Sequence, residues 1–212
     1  MEEQNQSLAE LQHIKKMMER SGRFISLSGL SGIAAGVCAL TGAWFAHIKI
    51  NSLGSGASSE IGAIELLNDL LWIATLTFIA AFVSAFIFTY MRSKKNKVAL
   101  FGPATMRLFW NTAFPLAVGG VFIIRLLQMG DIGLVAPSCL IFYGLALVNA
   151  SKYTLGEIRY LGYGQIALGI MNLWYIGYGL QFWAMGFGVM HIIYGISMWW
   201  KYERNTVAAA GE

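Results

Sequence analysis

Residues 24–47 read FISLSGLSGIAAGVCALTGAWFAH, a run without a single Asp, Glu, Lys or Arg. A helix rises about 1.5 Å per residue, so a run of this length covers the ~30 Å hydrocarbon core of a bilayer. A strand of a membrane barrel would instead be about 10 residues long and would alternate apolar and polar positions. Here the apolar character is continuous, and only a helix satisfies all its own backbone groups as a single span.

The same pattern recurs along the chain. Leu70–Met91, Leu108–Leu127, Ile132–Ala150, Tyr160–Leu180 and Phe182–Trp200 each read as a further span. The third and fourth spans, and the fifth and sixth, are separated by so few residues that each pair must form an antiparallel hairpin. The expected fold class is therefore all-α, a polytopic membrane helix bundle with six transmembrane helices and an amphipathic N-terminal helix. It divides into a cytoplasmic N-terminal helix at 1–23, a six-span membrane domain at 24–200 and a cytoplasmic tail at 201–212.

Composition agrees. Of the 212 residues 57% are hydrophobic and 12% charged, against about 25% charged in a soluble domain. That is too little charge to cover a wet surface. The net charge of +4 is carried by residues flanking apolar spans, which points to a lipid bilayer as partner and not to nucleic acid. Cys38 and Cys139 lie inside apolar segments at no metal-ligand spacing, so neither a metal nor a cofactor is expected. The opening MEEQNQSLAE is acidic and lacks the basic start of a signal peptide.

Orientation follows from the basic residues. With the N-terminus inside, Lys15, Lys16, Arg20, Arg23, Arg92, Lys94, Lys95, Lys97, Arg107, Lys152, Arg159, Lys201 and Arg204 fall on the inner side, 13 of 15. The positive-inside rule then places both termini in the cytoplasm of a cell with the protein in its inner membrane. Ahead of the first span, Ser7 and Glu10 form a capping box. Leu8, Leu11, Ile14 and Met18 follow at helical spacing, the pattern of an amphipathic helix lying on a membrane or bundle surface.

Polar residues inside spans are expensive to bury and so carry the most information. Gly162, Gln165, Gly169 and Asn172 share one face of the fifth span, and Ala184, Gly188, His191 and Gly195 share one face of the sixth. Gly29, Gly32, Gly36 and Ala39 line the first span, and Thr77, Ala81 and Ser84 the second. Such small-residue stripes allow close helix contact, within the chain or between copies in a homo-oligomer. Pro115 has no N–H and frees the carbonyl of Asn111. Asn111, Gln165, Asn172 and His191 are thus a candidate intramembrane polar cluster, either packing bonds or the lining of a cavity. Arg125 and Asp131 are a candidate ion pair at the outer interface. His191 is expected to face the bundle interior, with Gln165 and Asn172 as nearest partners.

The runs LIFYGLALVNASKYTLGEIRYLG (140–162), MGFGVMHIIYGISMWWKYER (185–204) and RSGRFISLSGLSGIAAG (20–36) resemble an uncharacterised group of small multi-span membrane proteins found in Bacteroidetes. The resemblance implies a shared fold across nearly the whole chain and transfers no activity. No GxSxG, HExxH, phosphate loop or nucleophile–base set is present, so no catalytic residue is assigned. The expected role is a non-enzymatic interaction or regulatory membrane protein. The alternative is a small transporter or channel with a polar cavity between spans 3, 5 and 6.

Overall fold

The computed structural model describes residues 28–53, 60–95 and 102–202. The expected N-terminal helix, the tip of the first loop and most of the tail lie outside those residues. The described chain is all-α. Helix α1 is Gly29–Leu53, α2 is Glu60–Lys95, α3 is Pro103–Met129, α4 is Val135–Ala150 and α5 is Ile158–Trp174. Helix α6 runs through Gly179–Trp183, a π-helical segment Ala184–Met190, and His191–Tyr202. All but α5 belong to segments long and apolar enough to cross a membrane; α5 has 17 residues.

Between lipid-soaked helices there is no hydrophobic force to exploit, so close backbone packing and hydrogen bonds must hold the bundle together. Glycine supplies the first of these. Helices α1 and α6 cross where a Cβ on Gly32 would stand 3.2 Å from the Gly195 Cα, and one on Gly36 would stand 2.7 Å from the Gly188 carbonyl oxygen. Helices α4 and α5 meet in the same way. A Cβ on Gly144 would lie 2.7 Å from the Gly162 carbonyl oxygen, and one on Gly162 would lie 2.8 Å from that of Gly144. On α2, Thr77 fits against Gly42 of α1, and Ser84 meets Cys38 at 4.0 Å. The small-residue stripes read from the sequence are therefore contact faces within one chain.

These contacts also fix direction. Gly29 meets Trp199 while Gly36 meets Ile192, so α1 and α6 are antiparallel. Gly144 meets Gly162 while Gly169 meets Pro137, so α4 and α5 are antiparallel as well. Asn111 pairs with Asn149 while Gly119 meets Phe142, giving the same sense to α3 and α4. The α1–α2 hairpin is tied at its loop by Lys49 and Asp69, 2.8 Å apart. One end of the bundle consequently gathers Arg92, Lys94, Lys95, Arg107, Lys152, Arg159 and Lys201; it is called the basic end below.

The helices are not equally enclosed. Helices α1, α6, α4 and α5 form the middle of the molecule, with α2 leaning on α1 and α3 leaning on α4. None of the most apolar stretch of α2 is buried.

Two boundaries differ from the sequence reading. Helix α2 begins at Glu60, taking in the IGAIELLNDL lead-in before Leu70. Helix α5 stops at Trp174, short of Leu180, and a 3₁₀ turn Ile176–Tyr178 leads into α6 at Gly179. The stop is local chemistry: the Asn172 side-chain amide donates to the Tyr175 carbonyl at 2.9 Å, holding the chain as it leaves the helix. The turn is rich in aromatic residues, with Trp174, Tyr175 and Tyr178 exposed, as suits side chains at a membrane–water interface. That composition hid the turn inside an apolar run.

Gly162→Ala and Gly120→Ala make a matched test of the glycine contacts. The first sets a methyl against backbone and is expected to cost about 1–3 kcal/mol. The second meets open space and is expected to be neutral or slightly stabilising. Equilibrium unfolding in mixed micelles, followed by circular dichroism, checks the difference.

Candidate functional site

The polar centre of the bundle lies where α4, α5 and α6 converge. His191 is 6% exposed and Gln165 is fully buried. Within the π segment of α6 the carbonyl of Gly186 accepts two side-chain bonds, one from the Gln165 amide at 2.7 Å and one from His191 Nδ1–H at 3.0 Å. A π segment widens the helix turn and is a common feature of functional sites. Here it brings a main-chain acceptor to two donors in the apolar interior.

The Gly186 bond sets the tautomer of His191. Nδ1 faces a carbonyl, which can only accept, so Nδ1 carries the proton and Nε2 is the acceptor. Nε2 takes the Tyr143 hydroxyl at 2.8 Å. The 3.5 Å approach between the Gln165 amide and Nδ1 is then two donors sharing one carbonyl. Tyr143 and Phe187 flank the imidazole, with ring centroids 5.4 and 6.0 Å away.

One acceptor in this network has no hydrogen-bond partner, Gln165 Oε1. It lies against the bare face of Gly186, 2.6 Å from where a Cβ would be. Leu140, fully buried, closes the same face. The centre is neutral and sealed by side chains.

The four-residue cluster read from the sequence is only partly assembled. Gln165 and His191 come together. Asn172 lies two turns from Gln165 on α5 and serves the Tyr175 turn. Asn111 stands in the α3–α4 contact, where its carbonyl, deprived of a helix partner by Pro115, accepts from the Asn149 side chain of α4 at 2.8 Å. Its own side chain donates to the Arg107 carbonyl at 2.8 Å. Helix α3 packs on α4 and not comparably on α5 or α6, so Asn111 stands apart from Gln165 and His191.

Arg125 and Asp131 are not an ion pair either. Gln128, one turn along the α3 face, meets the guanidinium at 3.4 Å. Gly130, with φ 81°, turns the chain out of the helix, and the Asp131 N–H is spent on the Leu126 carbonyl.

The residues that sequence reasoning missed are Tyr143, Asn149 and Gly186. A tyrosine in the middle of an apolar helix must place its hydroxyl, and that is the signal that could have found Tyr143. Asn149 lies at the end of the fourth apolar run, one turn before Lys152, and nothing in that run marks its partner. The role of Gly186 depends on a π segment that has no sequence signature.

A second polar group closes the basic end. Glu157, just before α5, accepts from Lys201 and from the Tyr202 hydroxyl at 2.7 Å, tying the α4–α5 loop to the end of α6. Partial desolvation raises the Glu157 carboxyl. The bonds from Lys201 and Tyr202 and the Lys201 charge outweigh it and hold the group below its ordinary value. The lysine is well exposed, so the pair contributes little stability. Among the described residues no group of three or more His, Cys, Asp or Glu could hold a metal ion.

Comparison with models of known families, with curated proteins and with solved structures finds no match to this chain.

Two measurements probe these contacts. Nitrogen-15 spectra of labelled His191 are expected to show Nδ1 protonated and Nε2 bare, and the reverse tautomer would contradict the Gly186 bond. Asn149→Leu is expected to cost about 1–2 kcal/mol by leaving the Asn111 carbonyl unpaired. In a Pro115→Ala background, where residue 115 regains its N–H, the cost should be smaller; a double-mutant cycle reads the coupling.

Proposed function

We propose that this chain is a non-enzymatic protein of the inner (cytoplasmic) membrane, with six crossings and both termini cytoplasmic, that acts through contacts with other membrane components in an interaction or regulatory role. The observation that carries this reading is the closed centre. Tyr143, Gln165 and His191 spend their polar atoms largely on one another and on Gly186. Two surface grooves lie elsewhere, one between α3 and α4 and one at the basic end. A transporter needs a polar passage, and the bonds among these side chains favour packing over such a lining.

The outer helices are the natural contact surfaces. The glycine faces of α1, α4, α5 and α6 are taken up inside the chain. A second copy or another membrane protein would therefore meet α2 or α3, each of which leans on one neighbour. Membership of the Bacteroidetes group of small multi-span proteins is consistent with this role and adds no activity to it.

Reconstitution into vesicles tests the proposal. Fluxes of protons, potassium and small anions are expected to equal those of empty vesicles, and a flux abolished by His191→Leu would overturn it. The topology has its own check. A cysteine at position 96, in a chain with Cys38 and Cys139 replaced, should label only after the cytoplasmic side is opened. Labelling from outside intact cells would refute the orientation.

A further inference from the structure

The groove between α3 and α4 has a volume of about 430 Å³ and is open to the surface of the bundle. Its walls are Phe114, Pro115 and Val118 on α3 and Phe142, Leu145 and Val148 on α4. Its polar features are confined to one end, where Asn149 and then Lys152 complete the lining. The Asn149 amide is already committed to the Asn111 carbonyl, so Lys152 is the free polar group of the groove.

Three features of this groove point to one occupant. The first is length. From Phe142 to Lys152 is ten residues of chain, mostly α4, or ~15 Å at the helical rise, half of the ~30 Å hydrocarbon core. The groove is as deep as one leaflet. The second is polarity, since an apolar trough that ends in a cation at the interface has the layout of a phospholipid with an anionic head. The third is a second cation. Arg107 stands one turn beyond Asn111 on α3, as Lys152 stands one turn beyond Asn149 on α4, and the Asn111–Asn149 bond holds the two helices together between them. Both Arg107 and Lys152 are exposed. Neither is paired with a carboxylate among the described residues.

We propose that the α3–α4 groove seats an anionic phospholipid from the leaflet at the basic end. An acyl chain lies along Leu145 and Val118, and the phosphate sits between Arg107 and Lys152. Basic pockets between transmembrane helices suit such head groups. The groove lies between two contacts of these helices, the Asn149 bond to the Asn111 carbonyl that Pro115 leaves without a helix partner and the meeting of Gly119 with Phe142. This inference rests on the membrane-spanning fold and not on the role proposed above, so a flux in vesicles would leave it standing.

Native mass spectrometry of the purified full chain, titrated with phosphatidylglycerol and with phosphatidylcholine of the same acyl chains, tests it. Wild type is expected to hold phosphatidylglycerol the more tightly. Arg107→Gln and Lys152→Gln should each weaken that lipid roughly fivefold and leave phosphatidylcholine unchanged. Leu145→Trp, which fills the trough from a partly exposed position, should weaken both lipids. The control is Lys94→Gln with Lys95→Gln, which removes two exposed charges from the same end of the bundle outside the groove and should change nothing. Equal affinity for the two lipids in wild type would overturn the proposal. So would an unchanged preference in the Arg107→Gln/Lys152→Gln double variant, or an equal loss in the Lys94/Lys95 control, which would mean a diffuse basic surface.

Discussion

A hydrocarbon interior offers no water to any polar group, so each donor or acceptor placed there must be answered by the protein itself. Much of this bundle is organised by that demand. The Asn111 carbonyl loses its helical partner to Pro115, and Asn149 crosses from α4 to meet it. The Gly186 carbonyl receives Gln165 and His191. The Tyr143 hydroxyl finds the one remaining lone pair of the imidazole. Each repair joins two helices.

The same demand explains the order of the helices. Those with glycine faces or buried polar centres, α1, α4, α5 and α6, take the middle, where backbone-to-backbone approach occurs. Helices α2 and α3 have mostly apolar side chains to present and need only one neighbour each. Their exposed Trp72, Phe82, Trp110 and Phe114 would be a fault in water and are ordinary against lipid.

Much of the fold was legible from residues alone. A long uncharged apolar run has one physical solution, so the spans were readable, and the three- and four-residue spacing of glycines announced the faces that pair. The inward aim of His191 followed from the cost of an imidazole in lipid, and its bond with α4 and contact with Gln165 bear that out. Its main partners did not follow. Asn172 lies on the same α5 face as Gln165, but that face is longer than the contact with α6, and its far end serves a turn. Tyr143 could be placed only by knowing that α4 and α6 run alongside each other, a fact of tertiary packing. The α5–α6 boundary was misread because Tyr175, Ile176 and Tyr178 are apolar enough to continue a span, while the glycines among them permit a turn.

The π segment Ala184–Met190 leaves α6 without a single helical wheel. Residues before it and after it are out of phase with one another, yet both halves are anchored: Gly186 to α4 and α5 on one side, Gly195 to α1 on the other. Side chains in this stretch are free to vary wherever they face outward, but its length is not. Losing or gaining one residue there would swing everything beyond it by about 100°, turning Gly195 away from α1 while leaving every amino acid of the inner half intact. In a lineage of such proteins, insertions and deletions would gather in the loops and stop at this segment, even where its letters drift.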